Sequence, residues 1–208
     1  MDLKHLPPHG GLLVFGKSRL KSQKLTQTLN SDSIKTPNFF FLRTNKIKHI
    51  SCGDQHALFA SDRRTYAFGL NDWGQLSLKP EIKQEVDKPI LVKQLKNYQV
   101  HGLASGRSHS LILCSESPAD PVINNKVSPN VVKERTLYAF GNNTEPQLGI
   151  AGSPSTPTPL NVSNKRKNIV KIASGSDFSI ILTSEGVLYG FGDNEVGQLG
   201  DKTLEKEV

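Results

Sequence analysis

The 208-residue chain is poor in the residues that usually announce a chemistry or a compartment. It has two cysteines, one methionine and one tryptophan. Two cysteines cannot staple a disulfide-rich secreted fold. Cys52 and Cys114 each stand beside apolar residues, which predicts two reduced, buried thiols in an intracellular protein, a disulfide being the minor alternative. Long apolar runs are also missing. The longest plain one near the start, Phe39 to Leu42, is far too short to span a bilayer. Met1 to Gly11 carries Asp2, two histidines and two prolines in place of the apolar core of a secretory signal. The expectation is a soluble chain with no membrane insertion. Carboxylates are outnumbered, 19 against 26 Lys and Arg, for a net charge of +7. That balance permits an anionic partner. The positive charges are scattered, however, and Lys165-Arg166-Lys167 is too short for a binding tail, so a solvated lysine-rich surface is expected and nucleic acid is not.

Catalytic signatures are absent as well. No Ser/His/Asp set, recurring carboxylate pair, metal cluster or Walker-type loop is visible. Cys52 and His56 imitate a metal pair, but the second copy has Ser105 where Cys52 would recur. No catalytic residue, cofactor site or metal site is expected, and the chain reads as non-enzymatic.

What is present is one pattern stated three times. Ser51-Cys52-Gly53-Asp54-Gln55-His56 leads through an apolar run to Tyr66-Ala67-Phe68-Gly69, then Asn71 and Gly74-Gln75-Leu76. Ala104-Ser105-Gly106-Arg107-Ser108-His109 leads to Tyr138-Ala139-Phe140-Gly141, then Asn143 and Gln147-Leu148-Gly149. Ala173-Ser174-Gly175-Ser176-Asp177-Phe178 leads to Tyr189-Gly190-Phe191-Gly192, then Asn194 and Gly197-Gln198-Leu199-Gly200. A partial leading copy contains Phe15-Gly16. The Phe-Gly pairs recur at intervals of about 53, 72 and 51 residues, the period of a propeller or solenoid. The long interval traces to 117–135, whose prolines and adjacent asparagines read as a loop in place of the tight turn Ser184-Glu185-Gly186.

Alternating and β-branched runs on either side of each turn predict hairpins. With a further run before each small-residue triplet and a weaker one upstream, at Pro89 to Val92 and Pro159 to Val162, each copy offers about four short strands. That is one propeller blade. Within it, Gly53, Gly106 and Gly175 allow close backbone approach near a crowded axis. His56 and His109 recur at one position that holds Phe178 in the third copy, which favours rings packed between strands over catalysis. Gln75, Gln147 and Gln198 are expected to satisfy backbone groups, and Leu76, Leu148 and Leu199 to plug the space between blades. Asn71, Asn143 and Asn194 suit turns. Trp73 stands in such a turn, where it caps the blade or serves as a partner contact.

Small-small-Gly-x-x-His, aromatic-x-Phe-Gly and Asn-x-x-Gly-Gln-Leu-Gly together resemble the repeats of the regulator of chromosome condensation family, over about Leu12 to Asp201. The resemblance implies an all-β propeller, normally of seven four-stranded blades. The run Val14-Phe15-Gly16-Lys17-Ser18 and the run Phe68 to Leu76 resemble a ciliary branch of that family. They imply a scaffold for ciliary proteins at the transition zone or basal body. Exchange of guanine nucleotide on a Ran-type GTPase in the nucleus, or an accessory propeller in a ubiquitin ligase, are the alternatives. Against chromatin attachment, Met1 to Leu13 holds a single lysine. Ser77 and Pro146 stand where the family pattern has glycine. The expected organisation is a partial propeller over 1–208, with repeat units 12–51, 52–104, 105–173 and 174–208 and the insertion at 117–135. Three units and a part fall short of a ring, so the chain is expected to be a fragment or to close with another chain, its oligomeric state open.

Overall fold

The computed structural model describes residues 11–17, 33–41, 46–79, 81, 84–96, 98–116, 134–160 and 168–200, the first two segments as backbone only. Among these residues the chain is built of antiparallel strands and one short 3-10 turn, Lys93–Leu95. Strands β1 (Gly11–Lys17) and β2 (Ser33–Phe41) form a two-stranded ribbon. Strands β3 (His49–Cys52), β4 (His56–Ala60), β5 (Thr65–Leu70) and β6 (Glu85–Leu91) form a four-stranded meander. The next four, β7 (Tyr98–Ser105), β8 (His109–Glu116), β9 (Thr136–Gly141) and β10 (Thr158–Pro159), repeat it. The last sheet joins β11 (Ile169–Ser174), β12 (Phe178–Thr183) and β13 (Leu188–Gly192). This is the all-β, incomplete propeller read from the repeats. Strand β10 is only two residues long and contains Pro159, which suits a sheet edge because proline has no N–H for a further ladder.

The first strands of successive sheets touch, β3 against β7 and β7 against β11. They are the inner strands, and the sheets fan out from them. Blades and sequence repeats are out of phase. The unit 52–104 supplies β4 to β6 of one sheet and most of β7, the opening strand of the next. Each unit therefore ties two blades together covalently.

The cores lie between sheets. Leu58, Ala60, Ala67 and Leu76 meet Val100, Ile112, Cys114 and Phe140. Leu111, Leu113, Leu137 and Leu148 meet Ile169 and Ile181. Strand β8 lies between two neighbours, so all of its residues but Glu116 are buried. Each such Leu, Ile or Phe contributes about 1.5–3 kcal/mol. Leu76 and Leu148 are fully buried between sheets, whereas Leu199 is only half-buried: it packs on Gly190 of its own sheet. On that sheet Leu188 is 66% exposed.

One expectation about the thiols needs correction. Both cysteines are free, but only Cys114 is buried; Cys52 is exposed. Alternation along β3 puts Ser51 opposite Leu58 of the core and turns Cys52 to the other side. Burial pushes the Cys114 thiol up to about 12.

Antiparallel order also sorts the connections onto two ends of the sheets. The described residues of 53–55, 71–84, 106–108, 142–157, 175–177 and 193–200 share one end, the loop face. Those of 61–64, 92–96 and 184–187 share the other, the turn face. The expected insertion lies outside the described residues except for Glu134 and Arg135. Its attachment points, Glu116 and Thr136, stand on the turn face.

Candidate partner-binding site

The repeated histidines face the next blade. His56 Nε2 lies 2.9 Å from Ser110 Oγ on β8, and that hydroxyl lies 2.8 Å from the Gln75 carbonyl. A carbonyl only accepts, so Ser110 donates to Gln75. Its one proton is then committed, and His56 donates through Nε2. One junction along, His109 Nε2 donates to Ser179 Oγ at 3.0 Å, and Ser179 donates to the Gln147 carbonyl at 2.8 Å. Both rings are buried, and burial lowers each imidazole to about 4, with His109 adding to the effect on His56. At neutral pH they are uncharged members of structural relays.

The glycine three residues earlier makes room for the ring. A Cβ on Gly106 would stand 2.0 Å from His109 Cε1 and 2.7 Å from the Gly175 carbonyl oxygen. A Cβ on Gly53 would stand 2.6 Å from His56 Cε1, and one on Gly175 2.0 Å from Phe178 Cε1. Phe178 thus fills the histidine's slot but has no donor for a relay. Gly69, Gly141 and Gly192 follow the aromatic pairs with φ of 107°, 107° and 113°. Their Cα atoms lie opposite His56, His109 and Phe178.

The Asn-x-x-Gly-Gln-Leu turns cap themselves. Asn71, Asn143 and Asn194 each accept through Oδ1 from the N–H of Leu76, Leu148 and Leu199 at 2.8–3.0 Å. Gln75, Gln147 and Gln198 accept through Oε1 from the N–H of Trp73, Glu145 and Val196. Gly74 and Gly197 sit at φ 80°. The two departures from the family pattern carry the cost of that geometry: Pro146 takes φ 24° and Ser77 φ 63°.

The side chains left over after this construction lie elsewhere. Trp73 is 43% exposed at the tip of its turn on the loop face, and Val196 at the matching tip is 82% exposed. Nearer the inner strands, Cys52, Asp54, Ser105, Arg107, Ser174 and Ser176 surround an open depression of about 610 Å³. Arg107 spans it toward the β11–β13 sheet: Nη2 pairs with Asp177 at 2.8 Å, Nε donates to Ser176 Oγ at 3.0 Å, and its backbone N–H donates to the Ser176 carbonyl at 2.8 Å. Trp73 lies on the loop face, whereas Glu116 and Thr136, which flank the insertion, lie on the turn face.

Sequence reasoning missed Ser110, Ser179 and the Arg107–Asp177 pair. Serine does follow the ring position in copies two and three, with Ala57 in the first. That weak signal identified a repeat position but not its partner in another blade. Among the described residues, no group of three His, Cys, Asp or Glu could hold a metal, and no helix is long and apolar enough to cross a membrane.

Sheets joined by inner strands, glycine-seated rings and relays from blade to blade define a propeller of the regulator of chromosome condensation class. The regulator of chromosome condensation (RCC1) repeat profiles match residues 63–113, 136–182 and 169–198, and the chain belongs to that family. The human X-linked retinitis pigmentosa GTPase regulator is 30% identical over 96% of this chain and 17% of its own length. The human probable E3 ubiquitin-protein ligase HERC3 is 27% identical over 85% of the chain and 15% of its own length. The crystal structure of Prp20p from Saccharomyces cerevisiae, described with its binding to Gsp1p and histones, superposes with a TM-score of 0.65 at 21% identity, covering 89% of this chain and 40% of that one. The chain thus spans less than a fifth of these two curated relatives.

Proposed function

We propose that the chain is part of a non-enzymatic propeller scaffold that binds proteins, acting in ciliary or basal-body trafficking. One observation carries the scaffold reading: the recurring polar residues are spent on capping their own turns and joining blades, while Trp73 stands exposed with its N–H tied to Gln75. A rigid, partly exposed tryptophan is a typical anchor for a protein contact. The ciliary part draws on the similarity to the retinitis pigmentosa GTPase regulator. On this reading the protein acts inside the cell, at the cilium or its base. The test is affinity capture from ciliated cells with the wild-type chain and Trp73→Ala. Recovery of ciliary proteins by the first and their loss with the second supports the reading. Recovery without any ciliary protein removes the ciliary part and leaves the scaffold.

A second reading, nucleotide exchange on a Ran-type GTPase in the nucleus, is supported by the polar depression on the loop face and the likeness to Prp20p. Such exchange needs only preferential binding of the nucleotide-free GTPase. Accelerated nucleotide release from that GTPase would replace the first reading with this one. An accessory role in a ubiquitin ligase draws only on the likeness to HERC3.

A further inference from the structure

The fold sorts charges that are scattered along the sequence. On the loop face, among the described residues, Asp54, Asp72, Glu81, Glu145 and Glu195 are exposed, against Lys79 and an Arg107 already paired with Asp177. On the turn face, Lys46, Arg63, Arg64, Lys93 and Lys96 are exposed. Antiparallel strands return every second connection to the same end, so the sequence interval between like charges is lost in space.

The basic groups run from the β3–β6 sheet to the start of β7 and on to Arg135, whereas turn 184–187 carries Glu185. Lys48 pairs with Asp62 at 2.6 Å, and the Asp62 carbonyl accepts from Val100 N–H at 3.0 Å, which joins turn 61–64 to the start of β7. Arg135 Nη1 donates to the Ile169 carbonyl at 3.4 Å and bridges toward the β11–β13 sheet. His101, bonded to Ser115 Oγ at 2.9 Å, lies within the fields of Arg135 and His49. Arg63 and Arg64 project from the tight turn, and among the described residues neither has an ion pair within 4.0 Å.

We infer that the turn face is a docking surface for an acidic polypeptide segment, with Arg63 and Arg64 as its principal contacts. This deepens the scaffold reading and rests on it. A polypeptide fits better than nucleic acid because Glu116, Glu134 and Glu185 are exposed on the same face. A DNA duplex carries one charge per about 1.7 Å and cannot avoid them. A peptide can space its carboxylates around them. Charge complementarity of this kind sets association rate and salt dependence more than contact area does.

The test is fluorescence anisotropy with a labelled peptide of alternating glutamate and serine, across a salt series. Arg63→Glu with Arg64→Glu is expected to weaken binding about tenfold or more at low salt. Asp72→Lys with Glu145→Lys, on the other face, is expected not to weaken it. Lys93→Glu with Lys96→Glu gives an independent loss should the arginine pair perturb folding, which a thermal melt reports. Unchanged affinity in both turn-face variants overturns the inference. So does stronger competition by a DNA duplex of equal charge, which would assign the face to nucleic acid. Self-association abolished by either face's charge reversal would assign it to a second copy. Capture of partners that depends on Trp73 but ignores Arg63 and Arg64 would sink this inference and leave the scaffold reading standing.

Discussion

His56 and Ser110 are 54 residues apart and belong to different blades, yet one hydrogen bond of 2.9 Å joins them, and the serine passes it on to the Gln75 carbonyl. The same relay joins His109, Ser179 and Gln147. Blade-to-blade cohesion therefore has a directional component in addition to apolar packing. Ser110→Ala leaves a buried imidazole N–H and a buried carbonyl without that partner, so a loss of about 1–3 kcal/mol is expected in urea denaturation. A double-mutant cycle with His56→Phe should show coupling between the two positions; strictly additive effects would deny the relay.

The histidines make stability pH-dependent in a definite direction. Their folded-state values are about 4, below the ordinary 6.5. The folded form thus resists protonation that the unfolded chain accepts. Above about pH 6.5 neither histidine contributes to the pH slope. As pH falls from there toward 4, each one costs about 1.4 kcal/mol per pH unit. Denaturation midpoints measured from pH 7.5 to 4.5 should fall accordingly. His109→Phe, which copies Phe178, should flatten the decline.

Gly106→Ala puts a methyl group into the His109 ring and near the Gly175 carbonyl. A loss of more than about 2 kcal/mol is expected, because the clash is with packed groups that cannot yield. Pairing it with His109→Ala should restore part of the loss, visible in a thermal melt.

Pro146 and Ser77 hold backbone angles that suit glycine. Pro146→Gly and Ser77→Gly are each expected to stabilise by about 1 kcal/mol, relief of left-handed strain outweighing the added freedom of the unfolded chain. A lower melting temperature in either variant would show that the turn is not strained there.

Much of this fold was legible because a repeat compares a chain with itself. The hairpins, the shared axis position of Gly53, Gly106 and Gly175, and the equivalence of Phe178 with His56 and His109 all follow from aligned copies. The self-capping turns were readable in part, since Asn and Gln at fixed spacing have few local acceptors and donors to choose from.

Sequence alone determined the blade and its order, because local alternation and turn chemistry act over a few residues. Tertiary structure decided what lies between blades. It chose Ser110 for His56, turned Cys52 outward while burying Cys114, left Leu199 half-buried where Leu76 and Leu148 are enclosed, and gathered dispersed charges onto opposite faces. Those outcomes depend on which sheet packs against which. That packing is a long-range relation, and no window of neighbouring residues encodes it.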